Sequence, residues 1–456
     1  INTTNPVDAA KFRLPGSELK EVLVPVEALS FNIGLTDNLS METFYQFNWK
    51  ESAIDPAGTY FSETDLFADG GNTAYTNLPS SLTNPVGALG GLSLTQFYNT
   101  GARCGVGGLC AGGKNFIYEN RIAKVANIGS DINAKNDGQY GINFKYVAEE
   151  LNSTEFGAYF VNYHAKEPSI YADLGNYQGV NIDQLATSLG GINPTTLAAA
   201  GGLATLDTLN NVQARREYVE DIRMYGFSFN TTLGDTSVFG ELAYRPNLPI
   251  GIATTNDLLG DLIQQAAKLV NTGPVAAAVG GLNGSAQIAG GTVRLGDSIH
   301  NYERVEAFNT SLGAIHNFGN ALSFDSLYGV AELASEHLRG SDLKYTAFDG
   351  STRYYSGRGN NDYITGGDRD DQVNKNAYGY TLVLSGTWND VYAGVNVSPY
   401  VVYKDDFEGN SYQTGNFIEG RKAYTVGVKA NYLNSLEGEL AYTEFYGGGE
   451  NNSSRD

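Results

Sequence analysis

The stretch N-A-Y-G-Y-T-L-V-L-S-G-T-W-N-D-V-Y-A-G-V-N-V-S-P-Y-V-V-Y, residues 376–403, decides the fold. Its first half places Tyr378, Tyr380, Leu382, Leu384 and Trp388 at alternate positions. Between them lie Ala377, Gly379, Thr381, Val383, Ser385 and Thr387, mostly small or polar. A period of two gives a strand one apolar face and one face that is not. Asn389-Asp390 then predicts a tight turn, and a second alternating run sets Val395, Val397, Val401 and Tyr403 on one face. Each run is about twice the ordinary strand length, enough to cross a bilayer at a tilt. The aromatics near both ends of the first run suit interfacial belts.

Five more hairpins have the same build. Residues 27–36 pair with 39–50 across Asp37-Asn38, and 138–149 with 154–166 across 150–153. Residues 222–233 pair with 236–246 across Gly234-Asp235, and 303–316 with 321–335 across the N-F-G-N of 317–320. Residues 422–433 pair with 436–446 across Asn434-Ser435. The connections between hairpins are of another kind: 51–137, 167–221, 247–302, 336–375 and 405–421 run from about 17 to about 87 residues. Strict alternation of short and long connections is the asymmetry of an outer-membrane barrel, with short periplasmic turns and long extracellular loops. The expected fold is all-β: a single transmembrane antiparallel up-and-down β-barrel domain over 1–456, with about twelve strands in this chain.

Composition agrees. Gly 56 and Tyr 30 are high, and charged residues make up only 17%, where a soluble enzyme of 456 residues carries nearer a quarter. A net charge of −21 argues against nucleic acid as a partner. The two cysteines, Cys104 and Cys110 in C-G-V-G-G-L-C, lack further cysteines or clustered histidines to complete a zinc site, so a loop disulfide is expected. The chain opens at Ile1 and closes in a polar tail, and material missing from both ends is expected.

Two long loops carry helical pattern. One spans 180–214. The other, 256–271, sets Leu258, Leu259, Leu262 and Ile263 on one stripe. Such a stripe either packs into a cap or walls a greasy vestibule, and these three leucines and one isoleucine are the vestibule candidates. No G-x-S-x-G, H-E-x-x-H or P-loop is present, so no enzyme activity and no catalytic residue is expected. The run N-N-D-Y-I-T-G-G-D-R-D-D offers Asp362, Asp368, Asp370 and Asp371 as hard-oxygen ligands for Ca²⁺, without EF-hand spacing, against the alternative of a solvated acidic loop; no other cofactor is expected. With the aromatic faces in lipid, Glu42, Lys145, Glu241, Arg245 and Lys429 turn inward, along with Gln46, Asn431, Glu437 and Glu439.

The run N-P-V-D-A-A-K-F-R-L-P-G-S-E-L-K-E-V-L-V-P-V (5–26), then G-L-T-D-N-L-S-M-E-T-F-Y-Q-F-N-W (34–49) and D-P-A-G-T-Y-F-S-E-T-D (55–65), resembles a large proteobacterial family described as a domain of unknown function. That family is assigned as an outer-membrane β-barrel, and its members are associated with uptake or export of hydrophobic compounds, including those of alkane and steroid catabolism. The specific match covers about the first 65 residues. The resemblance implies strands before and after this chain, about 14–18 in the intact barrel, and no catalytic residue to carry over. The expected function is therefore a passive channel in the Gram-negative outer membrane for a small hydrophobic solute of fatty-acid, alkane or steroid type. The alternative is a surface barrel whose loops bind other chains, lipopolysaccharide or matrix. Outer-membrane lipid and lipopolysaccharide are the expected surroundings, with self-association or a periplasmic protein as further partners.

Overall fold

A computed structural model describes residues 5–13, 19–60, 62, 65–78, 89–114, 117–118, 122–269, 273–280, 284–355, 372–413, 416–433 and 435–448. Twelve strands follow one another in one antiparallel sheet: Ala28–Gly34, Leu39–Gln46, Gln139–Ala148, Thr154–Tyr163, Ile222–Leu233, Thr236–Gly251, Tyr302–Ala321, Phe324–Arg339, Asn376–Tyr392, Val395–Glu408, Lys422–Tyr432 and Leu436–Tyr446. Every strand pairs with its sequence neighbours, so the sheet is an up-and-down meander of the transmembrane barrel type. Its first and last strands are not paired with each other among the described residues. No described helix is long and apolar enough to cross a membrane.

The alternation has a direct physical reading. Large apolar side chains stay exposed on one face, among them Phe31, Phe227, Leu242, Leu384 and Val426. In water such a surface would be unstable, whereas hydrocarbon accepts it. On that face Tyr140, Phe160, Tyr225, Tyr244 and Phe308, from five adjacent strands, form a row with neighbouring ring centroids 6.1, 5.1, 6.3 and 4.6 Å apart. His337, Tyr378 and Phe407 extend it. A second group, with Phe324 stacked on Trp388 at 4.4 Å, sits near the short turns. Tyr378 and Trp388 are ten residues apart, about 33 Å of strand or roughly 24 Å along the membrane normal at the usual tilt, which matches the apolar band of such barrels.

Glycine is abundant where rings lie across the neighbouring strand. A Cβ on Gly141 would stand 2.5 Å from the Phe44 ring, so only glycine lets that ring lie flat over the opposite face. The same arrangement sets Phe239 over Gly313.

Two turns differ from the sequence expectation. The chain does not reverse at Asn389-Asp390. It continues through a ladder irregularity between Trp388 and Tyr392, with Asp390 at φ 50°, and turns at Ala393-Gly394, φ 39° and 86°. Likewise N-F-G-N lies within the strand Tyr302–Ala321 as a bulged segment, and the reversal comes at Leu322-Ser323, φ 52° and 71°. Bulges and turns draw on the same residue types. The strand expected to end at Pro246 runs on to Gly251, because the missing proline N–H is absorbed by a register slip between Arg245 and Leu248.

Above the sheet the long connections fold together. Ser298–His300, Ser169–Asp173, Gln213–Glu217, Ile122–Ile128 and Thr73–Asn77 form a second sheet drawn from three different loops, and Ile117–Tyr118 also pairs on Ile122–Ile128. The helix Pro194–Asn211, started by an Asn193 cap and Pro194, packs on the sheet's strand Ile122–Ile128, and the helices Ile182–Ser188 and Thr255–Leu269 pack on that helix. Val180, Leu185, Leu203, Leu206 and Leu209 are sealed in this loop layer's own core. Cys104 and Cys110 form the expected disulfide on its edge. A smaller core of Leu248, Ile250, Val305, Leu338 and Tyr355 ties the strand ends to the 344–355 hairpin.

Candidate functional site

Where the polar face of the sheet meets the loop layer, a cavity of about 950 Å³ opens. Several stretches build it: the end of Thr154–Tyr163 with the residues after it, the overrunning end of Thr236–Gly251, the last loop, and the N-terminal segment. The N-terminal segment is pinned there by Val7 N–H donating to Ser52 Oγ at 3.1 Å and Ala9 N–H to the Ala53 carbonyl at 2.9 Å. One wall is apolar, with Ile170, Ile222, Leu248 and Ile250.

The other wall is polar. Arg245 points from its strand onto the polar face, donating from Nε to Tyr163 Oη at 3.1 Å and from Nη1 to Asn309 Oδ1 at 2.9 Å. Behind it Glu336 is buried, accepting from Ser411 Oγ at 2.9 Å and from the Tyr412 N–H at 3.3 Å. In the loops outside the spanning strands, burial raises the Tyr412 phenol and the Glu167 carboxyl above their ordinary values.

Lys166 is buried beside them. Its Nζ donates to Gln139 Oε1 at 2.6 Å and stands 5.7 Å from the Trp49 ring centroid. Burial lowers its ammonium to about 8 from an ordinary 10.5. The unfolded chain therefore binds more protons between those two values. The stability this residue contributes is complete above 10.5 and is lost as the pH falls through about 8. The stability of the wild type relative to Lys166→Met should climb with pH across that window, by at most about 1.4 kcal/mol per pH unit. Thermal unfolding of both proteins at a series of pH values reads it. A flat difference rules out burial as the governing effect.

Of the inward candidates, Arg245 alone lines this cavity. The others share its face lower on the wall or further round. Glu42 accepts from Asn143 Nδ2 at 3.0 Å, Lys145 lies 3.9 Å from Glu155, and Lys429 lies 3.6 Å from Glu439. Glu241 is exposed, in register with Ser228 and Ser311. The vestibule candidates need correction. Leu258 and Leu262 are buried in the loop-layer core, and Leu259 and Ile263 pack against it, because the helix finds a partner in Pro194–Asn211 and its neighbours. Leu258 and Leu262 are thus interior, while Leu259 and Ile263 stay half-buried at the edge of that core. The Ca²⁺ candidates Asp362, Asp368, Asp370 and Asp371 lie outside the described residues. Among the described residues no group of three or more His, Cys, Asp or Glu is placed to hold a metal. Asp406 is held by Arg421 at 2.8 and 2.6 Å.

Tyr163, Lys166, Glu167, Glu336 and Tyr412 were not singled out by sequence reasoning. Glu336 follows the small-polar alternation of its strand, which offered a weak signal. A Lys-Glu pair at the start of a loop carries none.

A family model described as "Protein of unknown function (DUF1302)" matches residues 1–456. No curated protein matches the chain. Among solved structures, the crystal structure of a Pseudomonas aeruginosa FadL homologue is similar at 11% identity and a TM-score of 0.30, over 92% of this chain and 70% of that one.

Proposed function

We propose, for a chain that belongs to the DUF1302 family of proteins of unknown function along its whole length, a passive outer-membrane channel for small hydrophobic compounds. One observation carries the reading. The cavity joins an apolar wall to the polar face of a sheet whose other face is built for lipid, and its volume of about 950 Å³ suits a small organic molecule. Ile170, Ile222, Leu248 and Ile250 line the same space as the polar strand residues Tyr163 and Arg245. The reading assigns no catalysis and no cofactor to the chain.

Reconstitution into liposomes tests it. Entry of a small apolar fluorophore should be accelerated over protein-free vesicles, and large polar sugars should be excluded. Vesicles that remain indifferent to every apolar solute would sink the proposal. The rival reading, a surface barrel whose loops bind other chains or lipopolysaccharide, draws on the co-folded loop layer with its own sheet and core. Lipopolysaccharide retention by the purified protein without solute flux is the result that would favour it.

A further inference from the structure

The cavity is rich in donors in a chain that is otherwise strongly acidic. Arg245 carries five N–H donors, of which the described contacts with Tyr163 and Asn309 take two, and both partners are neutral. No carboxylate among the described residues lies within ion-pair distance of its guanidinium, and Glu336 stands further off, held by Ser411 and Tyr412. Tyr163 receives the Arg245 bond on its oxygen, which leaves its own O–H free to donate. Lys166 spends one of three donors on Gln139. Among the described residues the lining offers Arg245 and Lys166 one carboxylate, Glu167, and buried Glu336 acts on Arg245 only from beyond ion-pair distance, although the net charge of the chain is −21. The apolar residues Ile170, Ile222, Leu248 and Ile250 face the same space.

From this juxtaposition we infer that the cavity takes a soluble anionic amphiphile, with its head on Arg245 and Tyr163 and its alkyl body along the isoleucine and leucine wall. A guanidinium presents parallel donors that match a carboxylate, sulfonate or phosphate oxygen pair. A neutral hydrocarbon offers those donors no acceptor. The inference rests on the channel reading and narrows its solute to one charge class.

Titration calorimetry on the full chain in amphipol, with octanoate, octanol and octylamine, tests it. Octanoate should bind roughly tenfold or more tighter than either of the others. Arg245→Gln should bring octanoate down to about the octanol affinity. The comparison of the three ligands on the wild type stands even where the variant folds poorly. If octanol or octylamine matches octanoate, the head-group assignment is overturned while the hydrophobic-solute reading survives. If none of the three binds, both fall. In nanodiscs, adding phosphatidylglycerol to phosphatidylcholine should leave octanoate binding unchanged. Competition by the anionic lipid would instead make a membrane headgroup the occupant and overturn the assignment to a soluble solute.

Discussion

Leu242→Lys is expected to destabilise the protein in bilayers by about 2–4 kcal/mol, while Glu241→Lys, one position earlier in the same strand, changes stability by less than about 1 kcal/mol. Leu242 is exposed on the aromatic face and sits opposite Phe227 and Thr310 in register. It lies six residues into the strand from Thr236, about 20 Å of backbone and roughly 14 Å of depth at the usual tilt, near the bilayer midplane. An ammonium there has no water and no partner. Glu241 faces the other way, level with Ser228 and Ser311, where a charge of either sign is solvated. Urea unfolding in phospholipid vesicles, followed by the fluorescence of Trp49 and Trp388, measures both. Equal tolerance of the two substitutions would mean that the aromatic face does not meet lipid. The comparison is between adjacent residues, so strand propensity and position in the hairpin largely cancel.

That contrast also explains what was legible. Each wall strand is read by two solvents, so its period survives in the sequence whatever the loops do: Tyr378, Tyr380, Leu382 and Leu384 report lipid without any knowledge of their neighbours. Turns were harder to place. Asp390 has the residue type of a hairpin turn, yet its Oδ1 accepts the Gly394 N–H at 2.6 Å and its own N–H donates to Asn396, so it stabilises the approach to the turn from outside it. Asn317 does the same for Gly319 at 2.9 Å. Residue type shows that the backbone departs from a strand but not whether it departs as a bulge or as a reversal.

The loop layer was illegible for another reason. Its sheet joins Asn127 to Gln213 in parallel and His300 to Tyr171, residues from three connections that no local pattern relates. Helical periodicity did reveal an apolar stripe through Leu258 and Leu262, but periodicity says only that a stripe needs covering, not what covers it. The cavity shares this property. Arg245 was recognisable as inward-facing from its strand alone, whereas Tyr163, Lys166 and Tyr412 join it only once three separated stretches meet.

The second large effect belongs to Asp207, in the helix that organises the loop layer. Its side chain is fully buried and accepts the Cys110 N–H at 2.8 Å on one oxygen and the Tyr177 O–H at 2.8 Å on the other. It thereby fastens the disulfide loop of Cys104–Cys110 to the core. Asp207→Ala orphans two buried donors, each costing about 1–3 kcal/mol, and should lower stability by roughly 2–6 kcal/mol. Asp207→Asn should behave quite differently. Burial raises the Asp207 carboxyl above its ordinary value of 3.8, so the carboxylate is held at a cost near neutral pH. The stability it contributes is complete below 3.8 and is lost as the pH rises through the folded value. An amide keeps one oxygen for Cys110, can donate to the Tyr177 oxygen, and carries no charge to desolvate. Asp207→Asn should therefore equal or exceed the wild type at neutral pH and lose that advantage in acid, where the wild-type carboxyl is itself neutral. Thermal unfolding of the three proteins at about pH 4 and pH 8 separates these outcomes. If Asn is as damaging as Ala at both, Asp207 acts through its charge, and the burial account of this anchor is wrong.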